Sequence, residues 1–264
     1  AAIRLPMALR ELYWWNGHCA EPPVQPSAYL PDGGVARLSA MTPSGAPLVL
    51  IVKAGHNAEN HNHNDVGSFI LHAAGETLLC DPGPPDYTRE YFGSARYDNV
   101  YANSRGHSVP VIGGRLQSPG PEYRGEFVET DLEASRLVIE FARAYDAPEL
   151  KSLRRSWELR QSGQRVNALT ITDLFDLAEP AHIEEPLVSR LPMHCQGNEL
   201  IIEGERTRVV ATCGSSPDAV WEIEPLEESP LRTGQERMLH RARLAFSPPA
   251  GRTVVEILLQ LSPA

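Results

Sequence analysis

Five consecutive residues, His61-Asn62-His63-Asn64-Asp65, bring together two imidazoles, two amides and a carboxylate. Such groups can hold a metal, move a proton and hydrogen-bond an oxygen-rich ligand. Further along come Asp81, Tyr87, Arg89, Tyr91, Arg96, Tyr97 and His107, set apart by Gly and Pro. Residues 56–107 therefore read as one site laid across several strand ends. Two histidines and a carboxylate suit Zn2+, which takes such ligands at about 2.0–2.2 Å in a tetrahedron and leaves an open position to water. His-x-His spacing turns alternate side chains to one face of an extended segment, so His61 and His63 are both expected to point inward. One of them could bind metal while the other does acid–base work. Asn64 and Asp65 read as loop-shaping residues that hydrogen-bond nearby backbone.

Those residues must be positioned by short strands. A hairpin turning at Ala74-Gly75, with strands over 68–73 and 77–81, sets Ser68 opposite Asp81. His63 then lies five residues further back, on the order of 17 Å away if the chain is extended. A loop over 55–59 that curls across the strand end would close that gap. His107 stands at the entrance to the apolar run Val109-Pro110-Val111-Ile112. Three ligands from three strand entrances would make a compact metal site.

The rest of the chain has a β pattern. Short runs over 35–41, 47–53, 126–131, 136–142, 150–159, 165–175, 199–203, 208–213, 220–225, 241–246 and 252–261 are separated by turns, with 23 Pro and 20 Gly spread through the chain. Regularly spaced strands with few helices predict a large antiparallel β-sandwich. Residues 169–174 alternate apolar and polar, which predicts one wet face, whereas 253–261 is more continuously apolar and reads as a strand between two layers. The exception to the β pattern is 7–15, a short helix ending in an aromatic cluster that needs something to pack on. A Pro-rich linker over 21–26 follows, and the division falls between 1–28 and 29–264.

Composition narrows the function. A net charge of −10 argues against nucleic-acid binding, which needs a basic excess. No apolar run approaches the roughly 20 residues of a membrane span. The four cysteines are widely spaced, with no C-x-x-C pair to suggest a zinc knuckle or a disulfide framework. The chain lacks an initiator Met and starts in what reads as the tail of a helix, as a piece of a longer protein would.

The run from His61 to Phe69, then Asp81-Pro82-Gly83, Tyr87, Tyr91 and Gly106-His107-Ser108-Val109, resembles the C-terminal β-sandwich module of the heparinase II/III-like polysaccharide lyases, a group that includes related alginate and oligoalginate lyases. The match is dense over 48–115. The resemblance implies an N-terminal (α/α) toroid joined to the sandwich, with an acidic polysaccharide or oligosaccharide in the groove between them, cleaved by β-elimination at a uronic acid. It implies zinc ligands at His63, Asp81 and His107, a catalytic histidine at His61 and a groove tyrosine at Tyr91, with Tyr87 and Tyr97 as neighbours able to take that role. Arg89 and Arg96, with Tyr87, are expected to meet the substrate. The toroid is missing from this chain, so the fragment is expected to fold but to be inactive or nearly so, and the parent is expected in the periplasm or secreted.

Plainer roles compete at each position. Asp81-Pro82-Gly83 is a good turn in its own right, tyrosines beside Gly and Pro often only pack, and Arg89, Arg96 and Arg105 could pair with Asp86, Glu90 or Asp98. Two other functions also fit the residues: a zinc-dependent hydrolase whose metal-bound water attacks, and a non-catalytic carbohydrate-binding or structural module.

Overall fold

The computed structural model describes residues 5–17, 25–84, 89, 91–93, 95–162, 165–215, 219–226 and 238–264. Among them are one α-helix, Leu5–Trp14, and 18 strands in three antiparallel sheets. The expected all-β sandwich is what the chain forms. A five-stranded sheet runs in the order Ala28–Leu30, Val35–Met41, Pro47–Lys53, Phe69–Ala73, Glu76–Leu79. A nine-stranded sheet runs Met193–Gln196, Glu199–Glu203, Thr207–Cys213, Gly251–Pro263, Arg165–Leu177, Leu150–Ser162, Arg136–Glu140, Gly120–Asp131, Gly55–Asn57. The third has four strands, Trp221–Leu226, Leu239–Phe246, Ile183–Ser189 and Val111–Ile112.

Period-two patterning sets the core. Leu38, Leu48, Leu50 and Val52 turn one face of the five-stranded sheet inward, and Leu153, Trp157, Leu169, Ile171 and Leu259 answer from the nine-stranded sheet in one continuous cluster. Phe69 meets Trp157 edge-on across that cluster at 6.0 Å between ring centroids. The turn after Met41 closes tightly because Thr42 exchanges backbone and side-chain hydrogen bonds with Ala46. This core is the platform from which the loops of residues 58–68 and 80–110 project.

Several expectations need correction. Gly251–Pro263 does not lie between two layers: Val255, Ile257, Leu259 and Leu261 are buried, whereas Val254 is exposed. Its apolar run reflects β-branched residues tolerated on a wet face. In Arg165–Leu177 the polar residues do not all face water, because Asp173 falls on the buried face with Ile171 and Phe175. The hairpin pairs Leu71 with Leu79 and bulges before His72, which shifts the facing residues by one.

The strands Ala28–Leu30, Gly55–Asn57, Ile183–Ser189 and Met193–Gln196 were not legible. Three of them are too short or too polar to show a period. Ile183–Ser189 holds Pro186, which sits beyond the two residues that pair with Val111–Ile112, so its missing N–H can face an unpaired edge. The helix starts at Leu5 rather than at 7, and its Leu9, Leu12, Tyr13 and Trp14 are exposed. Most of the expected 21–26 linker lies outside the described residues.

Candidate functional site

The loop after Gly55–Asn57 brings His63 back over the sheet end. Asn62 N–H closes a turn on Glu59 O at 3.1 Å, and His61 takes a left-handed φ of 60°. That reversal breaks the extended His-x-His geometry, so the two imidazoles do not share a face as expected. His61 stands exposed beside Phe92, with centroids 6.0 Å apart, while His63 is half-buried 5.2 Å from the His107 ring. Asn64 N–H then donates to Ala102 O at 2.8 Å, and Gly67, at φ +87°, returns the chain to Lys53 O. Asp65 is buried, pairs with Lys53 and accepts from Ser68 Oγ at 3.4 Å.

His63, Asp81 and His107 come together with one ligand atom each inside a spread of 4.8 Å. The loop therefore closes the gap that extended spacing left open. Asp81 does two jobs: Oδ1 accepts from Gly83 N–H at 2.7 Å and makes the turn, while Oδ2 lies 3.1 Å from His107 Nδ1. His107 is buried, and its Nε2 lies 3.1 Å from Tyr101 O. A carbonyl can only accept, so Nε2 carries the hydrogen and the Nδ1 lone pair faces the carboxylate. The Nδ1 to Oδ2 approach is close enough for an ion pair but is not aligned as a hydrogen bond.

Two lone pairs at that distance need something between them: a second proton on the ring, or a cation. A metal-ligating histidine characteristically spends its other N–H on a carbonyl or carboxylate, as His107 does on Tyr101. Ligand atoms around tetrahedral zinc stand roughly 3.4 Å apart, which the Asp81–His107 approach already matches. The charges agree. Burial, with the neighbouring His107, pushes His63 down to about 4, which leaves its nitrogen a free ligand. Burial works to raise Asp81, but contact with His107 holds it well below the usual carboxylate range. For His107, burial is outweighed by Asp81, and the net direction is upward.

Beside the cluster lies a depression of about 560 Å³ lined by Asn60, His61, Asn62, Phe92, Arg96 and Tyr97. A second depression, which shares Glu59 with it, is lined by His56, Lys53 and Phe127. Arg96 Nη2 donates to Asn62 O at 2.6 Å, and its guanidinium lies 5.2 Å from the Tyr91 ring centroid and 5.4 Å from that of Tyr97. Tyr91 is only 4% exposed and packs on Phe92. Tyr97 lines the depression. Arg89 is exposed, and Tyr87 lies outside the described residues. Arg105 does not pair with Asp98; it forks onto both Glu224 oxygens at 3.0 Å.

Sequence reading missed the groups that hold these loops. Gln117 and Arg155 each bind backbone from segments that sequence separation keeps 47 to 88 residues away. No local period could have marked them.

Residues 22–248 match the family model described as Heparinase II/III-like, C-terminal. The crystal structure of heparan sulfate lyase HepC from Pedobacter heparinus is similar with a TM-score of 0.70 at 16% identity, over 100% of this chain and 41% of that one. A HepC mutant gives a TM-score of 0.73 at 15% identity over the same shares. The crystal structure of Heparinase III gives 0.67 at 15%, over 92% of this chain and 37% of that one. At such identities the likeness carries the fold. The chain thus spans about 41% of the length of the HepC structures. No curated protein sequence matches it.

Proposed function

From the premise that this chain belongs to the heparinase II/III-like family, matching its C-terminal domain over residues 22–248, we propose that it is the sandwich half of a polysaccharide lyase acting by β-elimination on a uronic-acid-containing polymer. The observation that carries this reading is the His63–Asp81–His107 cluster, next in the chain to a depression lined by His61 and Arg96. Residues 1–28 are read as the segment leading from an (α/α) toroid, which supplies the other wall of the groove. The substrate places the whole protein in the periplasm or outside the cell.

Elimination removes the proton alpha to a uronate carboxylate and expels the 4-linked sugar, so it needs a base, a neutralising charge and an acid. His61 is the exposed imidazole at the depression and takes the proton-transfer role. Arg96, held by Asn62 and stacked between two tyrosines, offers a cation for the carboxylate. Of the tyrosines, Tyr97 is better placed than the buried Tyr91 to offer a hydroxyl. Arg89 and Tyr87 stand nearby in sequence as substrate contacts. The cluster residues fit Zn2+, which when bound would lock the loop that carries His61 rather than attack the sugar.

The test is a longer protein carrying this chain joined to its toroid. There His61→Ala should cut release of the unsaturated uronate, followed by ultraviolet absorbance, by about 100-fold or more, while the isolated chain should release little or none. Undiminished turnover, or a product lacking the unsaturated sugar, refutes the reading.

A further inference from the structure

Gln117 is 4% exposed and lies outside both the depression and the metal cluster, yet four segments converge on it. Its side-chain Nε2 donates to Val66 O at 2.6 Å while its Oε1 accepts from Val66 N–H at 3.0 Å. The amide thereby acts as a one-residue strand partner to the loop, three residues after His63 and one after Asp65. Its orientation is not ambiguous, since a flip would set donor against donor and acceptor against acceptor. Oε1 also accepts from Asn57 Nδ2 at 3.2 Å, and Nε2 lies 3.4 Å from Tyr145 Oη. All four hydrogen-bonding positions of the amide are engaged.

The backbone of Gln117 completes the junction. Its N–H donates to Ser104 Oγ at 2.8 Å, three residues before His107, and its carbonyl accepts from Asn64 Nδ2 at 3.2 Å. One residue therefore touches the loop that carries His63 and the turn that leads into His107. A neutral, fully satisfied amide is stiff, and metal ligands must be held to within about half an ångström.

We infer that Gln117 is a positioning residue that sets the separation of His63 from His107 and so tunes the affinity of the cluster for a divalent cation. This rests on the metal reading above. It predicts that losing the amide loosens metal binding beyond any loss of fold.

The experiment titrates the 264-residue chain with Zn2+ and separately with Co2+, whose visible d–d absorption reports ligand geometry. Gln117→Met keeps the length of the side chain and removes the amide. It should weaken zinc binding about 10-fold or more, in the range seen when groups behind metal ligands are removed, and should change the cobalt spectrum. Ser104→Ala removes one backbone contact and should act in the same direction, less strongly; it decides the matter if Gln117→Met does not fold. Leu200→Ala, a core truncation at the opposite end of the nine-stranded sheet, should lower stability yet leave zinc affinity and the cobalt spectrum alone. Binding within about two-fold of wild type in both Gln117→Met and Ser104→Ala, well short of the usual outer-partner effect, overturns the assignment. So does an equal loss in Leu200→Ala. A wild-type chain that takes up neither metal overturns the metal reading itself, and this inference with it.

Discussion

His61 shows what residue types reveal and what they conceal. The presence of two imidazoles and a carboxylate in five residues was legible, and so was the company of Asp81 and His107. The resemblance also separated His61 from His63; what no spacing rule encodes is the one left-handed φ at His61 that turns the two imidazoles to different faces. A non-glycine residue held there is strained, and such strain persists only where surrounding contacts fix it. Gly67 is a second backbone requirement in the same loop. At its φ of +87° a Cβ would lie 2.6 Å from Phe141 Cε2, a rigid ring packed in the core. Gly67→Ala should therefore cost about 2 kcal/mol or more through strain and overpacking, read as a lower urea midpoint. An alanine variant as stable as wild type would mean that the loop has another way to turn. Asp81→Asn should behave differently: the turn onto Gly83 can survive, but zinc affinity should fall about 100-fold or more, beyond the range for outer partners, by competition with a chelating dye. Zinc affinity unchanged in Asp81→Asn would remove that carboxylate from the cluster.

Strands were legible where one face is core and the other is water, as in Val35–Met41 and Pro47–Lys53, whose observed bounds match the pattern. Ile183–Ser189 was not, because Glu184, Glu185 and Pro186 contradict a strand by composition. Its acids are answered from far away: Glu184 by Arg241 and Arg243, Glu185 by Arg155. Arg155 is 2% exposed and joins three elements, reaching Asp173 and Glu185 at 2.7 Å each, with Nη1 donating to Ser108 O at 2.7 Å and Gly67 O at 3.3 Å. One guanidinium between two buried carboxylates leaves a surplus negative charge. Burial, then the neighbouring Asp173, accordingly pushes Glu185 well up, against the pull of Arg155. Arg155→Met strands buried carboxylates and should cost about 3–5 kcal/mol. Glu185→Gln mimics the protonated acid and should be nearly neutral at low pH. The sign follows from linkage: the folded chain holds the Glu185 proton more tightly than the unfolded one, where a glutamate titrates near about 4.3. That contribution is complete below the unfolded value and drains away as pH rises through the folded one. Wild type should therefore lose stability relative to Glu185→Gln as pH climbs above the ordinary glutamate range, in paired urea melts. Parallel pH profiles for the two proteins would mean that Glu185 is ionised in the fold.

A chain of this size buries one large core shared by its sheets, with a small second one at Cys80, so its fold should not wait for a metal as a small zinc domain's does. The cluster hangs from that core through loops: His63 and His107 both lie between strands, and Asp81 follows the end of Glu76–Leu79. Zinc should therefore act as a ligand of an already folded molecule. At a free concentration about 100 times its dissociation constant it should add about 2.7 kcal/mol to stability, visible as a higher urea midpoint that a chelator reverses. The far-ultraviolet circular dichroism of the chelated chain should keep its β signature, because the hydrogen-bond ladders of the three sheets do not pass through the cluster. The increment, taken for each protein against its own metal-free midpoint, should vanish in Asp81→Asn. Unfolding on chelation would instead make the ion part of the core. The same stabilisation by zinc in Asp81→Asn would place the ion somewhere other than between His63 and His107.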